Sequence, residues 1–418
     1  MDSTLNVLRL ASVPVACNVI DQILRDGARR MLQAAIEREV AEYIEQHANQ
    51  RDEKGHRLVV RNGFHRKRTI QTGSGSIQVH QPRVQDNRVD EHGEPMHFTS
   101  KILPPYLRKT KVIEELVPWL YLKGISTGGF TDAFAALGHD GSGLSATSVV
   151  RMKEVWQKEW EAWSKRSLNE KKYVYLWADG IHFNVRLEEE GADKQCILVL
   201  MGATETGDKE LIAMLSGYRE SELSWLELLR DIKDRGVIMD PKLATGDGAL
   251  GFWKALPQVY PTTKQQRCWV HKTANVLDKM PKGIQSAAKD KLHEIWMSDT
   301  RANAVKAFDK FIETYQAKYP KATECLEKSR EELLEFYNFP AEHWQHLRTT
   351  NPIESTFATV RLRTKRTKGS GSRKACLTMA FKLCQSAAKT WRKLKGSKFL
   401  PDVILGIQFV DGIKKIAA

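Results

Sequence analysis

Seven consecutive residues, Tyr173-Val-Tyr-Leu-Trp-Ala-Asp179, constrain this chain more than any other stretch. They are β-branched, aromatic or aliphatic until the last, with Lys171 and Lys172 before them and Gly180 after. An apolar run of that length, broken by a turn residue, reads as a buried central strand. An ionised carboxylate at the tip of such a strand is held rigidly at the rim of a sheet. That is a good place to hold a cation and a poor one for a charge with no partner. An ordinary reading competes: Asp-Gly is the favoured two-residue hairpin turn, and Ile181–Leu187 could be the returning strand.

The rest of the chain has room for such a sheet and more. At 418 residues it can form two or three domains with cores of their own. Lys and Arg number 65 against 51 acids, a net charge of +14 with a pI near 9.4. That balance suits nucleic acid, although membrane surfaces and acidic partners attract it as well. No run of about 18 apolar residues could span a bilayer. Met1–Cys17 has no basic region followed by an apolar core, so no secretory signal is expected. The six cysteines, at 17, 196, 268, 325, 376 and 384, lack disulfide-framework spacing and fit reduced thiols in the cytosol.

Ahead of the strand, Asn18–His47 predicts an amphipathic helix with Ile20, Leu24, Ala28, Met31, Ala35, Val40 and Ile44 near one face. Its expected role is packing, with a second copy of itself as one candidate partner. Arg66–Gln71 and Ile77–Gln81 read as two strands joined by the turn Thr72–Ser76. Arg61, Arg66, Lys67, Arg68 and Arg83 decorate this hairpin with no acid between them. They form either a solvated basic face or a DNA-backbone contact. Next come Val112–Lys123, stopped by Gly124, then Thr127–Leu137, closed by Gly138, then a helix from an N-cap at Ser145 toward Trp163. Three short helices with glycine turns suit a helix-turn-helix, whose last helix would enter a major groove. Ser145, Thr147, Ser148 and Arg151, at the start of that helix, are the candidate groove contacts, although many three-helix units bind nothing.

From Tyr173 to Gly251 the pattern is α/β. Strands are expected at Tyr173–Ala178, Ile181–Leu187 and Gln195–Met201, a helix at Ser221–Arg235, and a fourth strand at Lys242–Thr245 ending in Gly246-Asp247-Gly248. Three antiparallel strands, a helix and another strand is the order of a ribonuclease-H-like sheet. In that layout the first and fourth strands end side by side, which would bring Asp179 to Asp247. Between Ala255 and His346 strands largely vanish, and Ser286–Trp296, Ala302–Tyr315 and Glu324–Tyr337 carry helical spacing. Asn351-Pro-Ile-Glu354 then opens another helix, with Asn351 as the expected N-cap and Glu354 placed for a capping box. Arg361, Arg363, Lys365, Arg366, Lys368, Arg373 and Lys374 follow as a basic run without an acid.

Each of Asp179, Asp247 and Glu354 has a local excuse in a turn or a cap. The excuses leave the joint arrangement unexplained: two strand-end aspartates and a glutamate on a later helix beside a basic strip. Phosphodiester chemistry uses such a set, with two divalent cations roughly 3.5–4 Å apart flanked by carboxylates. Hard oxygen ligands point to Mg²⁺, with Mn²⁺ as a substitute.

Asp179-Gly180, Gly246-Asp247-Gly248, Cys268-Trp-Val-His271 and Thr349-Thr-Asn-Pro-Ile-Glu354, in that order, resemble the DDE transposases of the bacterial IS256 family, relatives of the Mutator transposases. Gly124-Ile-Ser-Thr127 and Pro82-Arg83 extend the likeness over nearly the whole chain. The resemblance implies Asp179, Asp247 and Glu354 as catalytic and metal-binding triad with two Mg²⁺ ions. Cys268 and His271 would be active-site support without being a metal site. It implies a homodimer that binds terminal inverted repeats, cleaves the element ends and joins them to target DNA, generally through a circular intermediate, in the bacterial cytoplasm at the nucleoid.

The expected architecture is multidomain α+β. Residues 1–50 form a helix for dimerisation, 51–105 a basic β-hairpin segment and 106–168 the helix-turn-helix. Residues 169–254 form the first part of a ribonuclease-H-like catalytic domain, 255–346 an all-α insertion, and 347–418 the second catalytic part. Where many family members follow the glutamate helix with a Phe-Pro pair, this chain has Lys368-Gly-Ser-Gly-Ser-Arg373. Two rivals remain: a non-catalytic DNA-binding regulator derived from a transposase, or another ribonuclease-H-like nuclease. Cys268 and His271 with His343 and His346 could also be imagined as a zinc site, against which stands the separation of the two pairs. Trp296 and Trp344 are candidates either for stacking on an unpaired base or for core packing.

Overall fold

A computed structural model describes residues 19–125, 129–135, 146–184, 194–217, 220–248, 250–366 and 372–415. The chain divides into two compact units, Met1–Met152 and Lys153–Ala418.

In the first unit α1 (Val19–Gln46) packs on two short antiparallel pairs, β1 (Val59–Phe64) with β4 (Pro82–Asp86) and β2 (Arg68–Thr72) with β3 (Gly75–Val79). The inward face of α1 is Leu32, Ile36 and Val40; the first two close a small core with Ile70, Ile77, Val79 and Leu103. Most of the expected apolar stripe points elsewhere, and Ile20, Leu24 and Met31 are exposed. The sheet segments cover only the C-terminal half of the helix, so burial there follows that contact and not the longest apolar stripe. The hairpin turn is tighter than expected, because Thr72 pairs directly with Gly75. Three helices follow, α2 (Lys111–Leu122), α3 (Gly129–Ala135) and α4 (Ala146–Ser164), the last continuing into the second unit. Ile113, Val117, Leu120, Phe130 and Phe134 bury one another where α2 meets α3.

The second unit is built on a five-stranded mixed sheet in the order β7-β6-β5-β8-β9. Its strands are β5 (Tyr173–Asn184), β6 (Lys194–Thr204), β7 (Lys209–Gly217), β8 (Leu243–Gly246) and β9 (Lys264–Arg267). Helix α5 (Glu222–Asp234) lies between β7 and β8 in the chain, and α6 (Leu250–Val259) between β8 and β9. Ser221 caps α5, accepting from the Ser224 N–H. Alternation along β5 separates its two faces. Leu176 and Ala178 join Trp225, Leu229, Phe252 and Leu256 in the core beneath α5 and α6. Tyr175 and Trp177 face the other way: the Tyr175 hydroxyl meets His343 Nδ1 at 2.8 Å, and Trp177 Nε1 donates to the His346 carbonyl.

Three strand expectations change. Tyr173–Ala178 and the described part of the next expected strand, Ile181–Asn184, are parts of one strand that runs straight through Asp179-Gly180, paired with β6 on both sides of it; Val185–Leu187 lie outside the described residues. The third antiparallel strand is β7, whose apolar centre Leu211–Leu215 lay unassigned. β9 adds a parallel fifth strand inside the stretch expected to be helical, and Val259 and Tyr260 just before it belong to the sheet's core.

Beyond β9 come α7 (Trp269–Leu277), α8 (Lys282–Met297), α9 (Arg301–Tyr315), α10 (Pro320–Glu327), α11 (Arg330–Leu334) and α12 (Trp344–Leu347). The single helix expected over Glu324–Tyr337 breaks near Ser329, where Lys272 Nζ reaches the Cys325 carbonyl and Ser329 Oγ. Next are α13 (Asn351–Arg366), α14 (Arg373–Ala388), packed against β7 and α13, and α15 (Leu400–Ile404). No helix among the described residues is long and apolar enough to cross a membrane.

Candidate active site

Strands β5 and β8 run parallel with Ala178 opposite Gly246, so the next residues, Asp179 and Asp247, leave the paired region side by side. By alternation Asp179 shares the face of Tyr175 and Trp177, toward which α13 brings Glu354. Parallel pairing joins residues that are 68 positions apart and depends on α5 as the crossover.

Segments on either side of the helical block are fastened to the end of β8. The Cys268 N–H donates to the Gly246 carbonyl at 2.8 Å, Thr245 Oγ1 donates to the Leu347 carbonyl at 2.7 Å, and the Trp269 N–H donates to the Arg348 carbonyl. The start of α7 and the start of α13 therefore meet beside Asp247. Asp247 itself is half-buried, and its carbonyl accepts from Trp253 Nε1 and Arg267 Nη1.

Thr350 joins these pieces. Its hydroxyl donates to Glu354 Oε1 at 2.7 Å and lies 3.3 Å from His271 Nδ1 and 3.2 Å from Cys268 Sγ. His271 Nδ1 is 3.6 Å from Glu354 Oε1. The Thr350 carbonyl accepts the first helical N–H bond of α13, from Glu354, so the N-cap position falls on Thr350 and not on Asn351. The Thr350 N–H goes to Cys268 Sγ, which leaves the Glu354 carboxylate outside a capping box. The sequence signal for Thr350 was present, since it stands in the same Thr-Thr-Asn-Pro run as Glu354.

Charge makes this site expensive as it stands. Asp179 is 5% exposed; among the described residues its Oδ1 accepts from the adjacent Gly180 N–H alone, and its buried Oδ2 has no hydrogen-bond partner. Burial, then the Asp247 carboxylate, push the Asp179 carboxyl up to about 7. His271 moves to about 9 because of its contact with Cys268 and the Asp179 and Glu354 carboxylates, against its own burial. It is then an imidazolium at neutral pH in the metal-free chain; among the described residues Cys268, His271 and Glu354 bring ligating atoms within 4.8 Å of one another. An orphaned buried carboxylate oxygen among like charges fits a divalent cation held by oxygen ligands.

The imagined zinc quartet does not assemble. His343 is buried with Nδ1 on Tyr175 and Nε2 on the Gly396 carbonyl, while His346 accepts from the Lys395 N–H. Trp344 packs against Phe336 and Tyr337 and donates to the Phe339 carbonyl. Trp296 is half-buried beneath the Arg348 guanidinium, 4.5 Å from its ring centroid.

The basic residues fall into separate groups. Arg61, Arg66 and Lys67 are exposed on the first unit, and Arg68 donates to the Pro104 carbonyl. Arg29, Arg30 and Lys67 line a cleft of about 390 Å³ between α1 and β3; the two arginines were not among the sequence candidates. Thr147 and Ser148 lie in the first turn of α4, and Arg151 is exposed on it. Arg361 is exposed on α13, Lys365 and Arg366 form its last turn, and Arg363 is buried, 4% exposed. Ser145 and Lys368 lie outside the described residues.

Comparison with known proteins places the chain among transposases. A family model described as transposase, Mutator family, matches residues 2–394. The transposase for insertion sequence element IS6120 of Mycolicibacterium smegmatis is 50% identical over 300 residues, 72% of this chain and 92% of that protein. The transposase for insertion sequence element IST2 of Acidithiobacillus ferrooxidans is 49% identical over 282 residues, 66% and 93% of the two chains. The transposase for IS256 in transposon Tn4001 of Staphylococcus aureus is 27% identical over 350 residues, 83% and 85% of the two.

Proposed function

The chain belongs to the Mutator family of transposases, and from that premise we propose a DDE transposase of an insertion sequence whose metal-binding triad is Asp179, Asp247 and Glu354. The observation that carries the reading is the parallel β5–β8 pairing, which sets Asp179 beside Asp247 while α13 presents Glu354 to the same edge. The strand order, with three antiparallel strands, a helix and a parallel fourth, supports a ribonuclease-H-like catalytic fold.

The residues present fit two Mg²⁺ ions, with Mn²⁺ as a substitute. When bound, the pair supplies an activated nucleophile and stabilisation of the leaving oxygen in phosphodiester cleavage and strand transfer. The protein's own part is positioning and charge. Asp179 and Asp247 are fixed by adjacent strands, so neither needs to reorganise on loading. Thr350 and His271 together direct Glu354, the hydroxyl donating to Oε1 and the imidazolium neutralising part of its charge. Arg361, Lys365 and Arg366 on α13, Arg61, Arg66, Lys67 and Arg68 on the hairpin, and the start of α4 in a helix-turn-helix supply the contacts to double-stranded DNA. A homodimer bound at terminal inverted repeats, target joining through a circular intermediate, and a cytoplasmic, nucleoid-associated site of action complete the reading.

The test uses purified protein, Mg²⁺ and a labelled DNA fragment carrying the element's end and flank, with Glu354→Gln alongside. A nick at the element boundary and a joined-strand product, both missing in the variant, are expected. Tight binding with no cleavage in Mg²⁺ or Mn²⁺ would replace the reading by a non-catalytic DNA-binding regulator.

A further inference from the structure

A fourth carboxylate lies at this site, on a residue that nothing in the sequence singles out. Glu220 immediately precedes the Ser221 cap of α5. A Cβ placed on Gly180 would fall 1.9 Å from Glu220 Oε1, so the glutamate lies directly on the β5 backbone next to Asp179. Only a residue without a side chain leaves it that room. By alternation Gly180 and His182 share the face opposite Asp179, and Glu220 occupies that face. β8 ends at Gly246, one residue before Asp247.

The local partners of Glu220 are weak. Its side chain is 16% exposed, and its one ion-pair partner among the described residues is His182, 3.4 Å away and 59% exposed. Cys196 Sγ lies at 3.9 Å. Like charges act on Glu220 at the same time: burial first, then the Asp247 carboxylate, raise its pKa above the ordinary glutamate range, and Glu220 in turn adds a small part to the rise at Asp179. A largely desolvated glutamate beside two aspartates costs free energy unless a cation gathers them. Independently, the buried Asp179 Oδ2 has no partner among the described residues.

We propose that Glu220 is a fourth carboxylate of the divalent-cation site, presented on the Asp247 side by the start of α5 across the open backbone of Gly180. The proposal rests on the triad reading. Charge counting agrees with it, because four carboxylates balance the four positive charges of two divalent cations where three do not. It also gives the Asp179-Gly180 pair a purpose other than a turn: the aspartate is a ligand and the glycine a gap for the next one. The rival is a soft-metal site made by His182, Cys196 and Glu220, whose ligating atoms lie within 4.8 Å of one another.

The experiment is a Mn²⁺ titration of the metal-stripped full chain, followed by calorimetry and Mn²⁺ paramagnetic resonance, with Zn²⁺ titrated in parallel. Wild type, Asp179→Asn, Glu220→Gln, Gly180→Ala and His182→Gln are compared after circular dichroism confirms folding. Asp179→Asn is expected to weaken Mn²⁺ binding at least tenfold. Glu220→Gln and Gly180→Ala should each weaken it about three- to tenfold, and the double variant no further than the worse single one. His182→Gln should leave it unchanged or tighten it. Mn²⁺ binding that falls in Asp179→Asn but is untouched in Glu220→Gln would overturn the role of Glu220 and leave the triad standing. Binding insensitive to Asp179→Asn would overturn the triad instead. Zn²⁺ binding that outcompetes Mn²⁺ and disappears in His182→Gln would assign Glu220 to the soft-metal site and refute the proposal.

Discussion

Asp179→Asn should make the metal-free protein more stable while removing its metal site, and the gain should grow with pH. The Asp179 carboxyl moves from 3.8 to about 7 in the folded chain through burial and the neighbouring Asp247. A shift of that size corresponds to about 4 kcal/mol between the two protonation states. Below pH 3.8 both folded and unfolded chains carry the proton, and this group exacts no penalty. Between 3.8 and about 7 the unfolded chain releases the proton while the folded one keeps it, so stability falls by about 1.4 kcal/mol per pH unit. Above about 7 the full penalty is present. Asparagine is neutral in both states and nearly the same shape, so it escapes the penalty at every pH. From pH 5 to pH 8 the advantage of the variant should therefore increase by about 2.7 kcal/mol. In a unit of the size of Lys153–Ala418 that is about 5 to 8 °C in Tm. Differential scanning calorimetry of chelator-treated protein at the two pH values measures it. Adding Mn²⁺ at pH 8 should raise the wild-type Tm and move that of the variant much less. A Tm difference equal at both pH values, or a variant less stable at both, would refute the electrostatic account of Asp179.

Three further expectations concern the surroundings. Thr350→Val removes the hydroxyl that donates to Glu354 and approaches His271. Losing a hydrogen bond to a charged group is worth about 1.5–3 kcal/mol, so the rate of end cleavage should fall about 10- to 100-fold with end binding unchanged; a variant of full activity would sever the link from Thr350 to Glu354. Gly251→Ala places a Cβ 2.6 Å from the Ser221 carbonyl carbon and 2.7 Å from the Glu222 nitrogen. Backbone atoms cannot swing aside, so the start of α5 must shift and chemical denaturation should show a loss of about 1–3 kcal/mol. Replacing Arg361, Lys365 and Arg366 together by Gln should flatten the log–log salt dependence of DNA binding by up to about 3; an unchanged slope would remove α13 as a phosphate contact. Arg363 is left out of that set because its side chain is buried.

The sequence displayed much of this site and misread some of its reasons. Helix α5 was legible because its signal is local, an apolar stripe at Leu223, Leu226, Leu229 and Ile232; the last three are buried, Leu223 is exposed, and Ser221, expected as the first helical residue, is its cap. The Asp179-Gly180 pair misled, because Asp-Gly carries the same local signature whether the glycine turns a chain or admits a neighbour. The neighbour here is Glu220, 40 positions away. β9 was missed for a related reason. Lys264-Gln-Gln-Arg267 has no apolar pattern and becomes a strand only because β8 offers it a parallel edge. Asn351 looked like the cap of α13, yet Thr350 holds that position, its N–H directed to Cys268 from outside the helix and its hydroxyl to Glu354 in the first turn.

By itself the sequence determined the elements whose stability is local or depends on one buried face: the central apolar strand, the capped helices and the basic surface excess. With the order of its motifs it also named the family, and it put forward the three acids. The order of elements already led to Asp179 beside Asp247. The tertiary structure supplied what that order could not: contacts at the end of β8 that bring the start of α13 there, and a missing side chain at Gly180 that lets Glu220 lie on the β5 backbone. Such juxtapositions come from backbone pairing and close packing between distant segments, and they leave no periodic trace in the residues that take part.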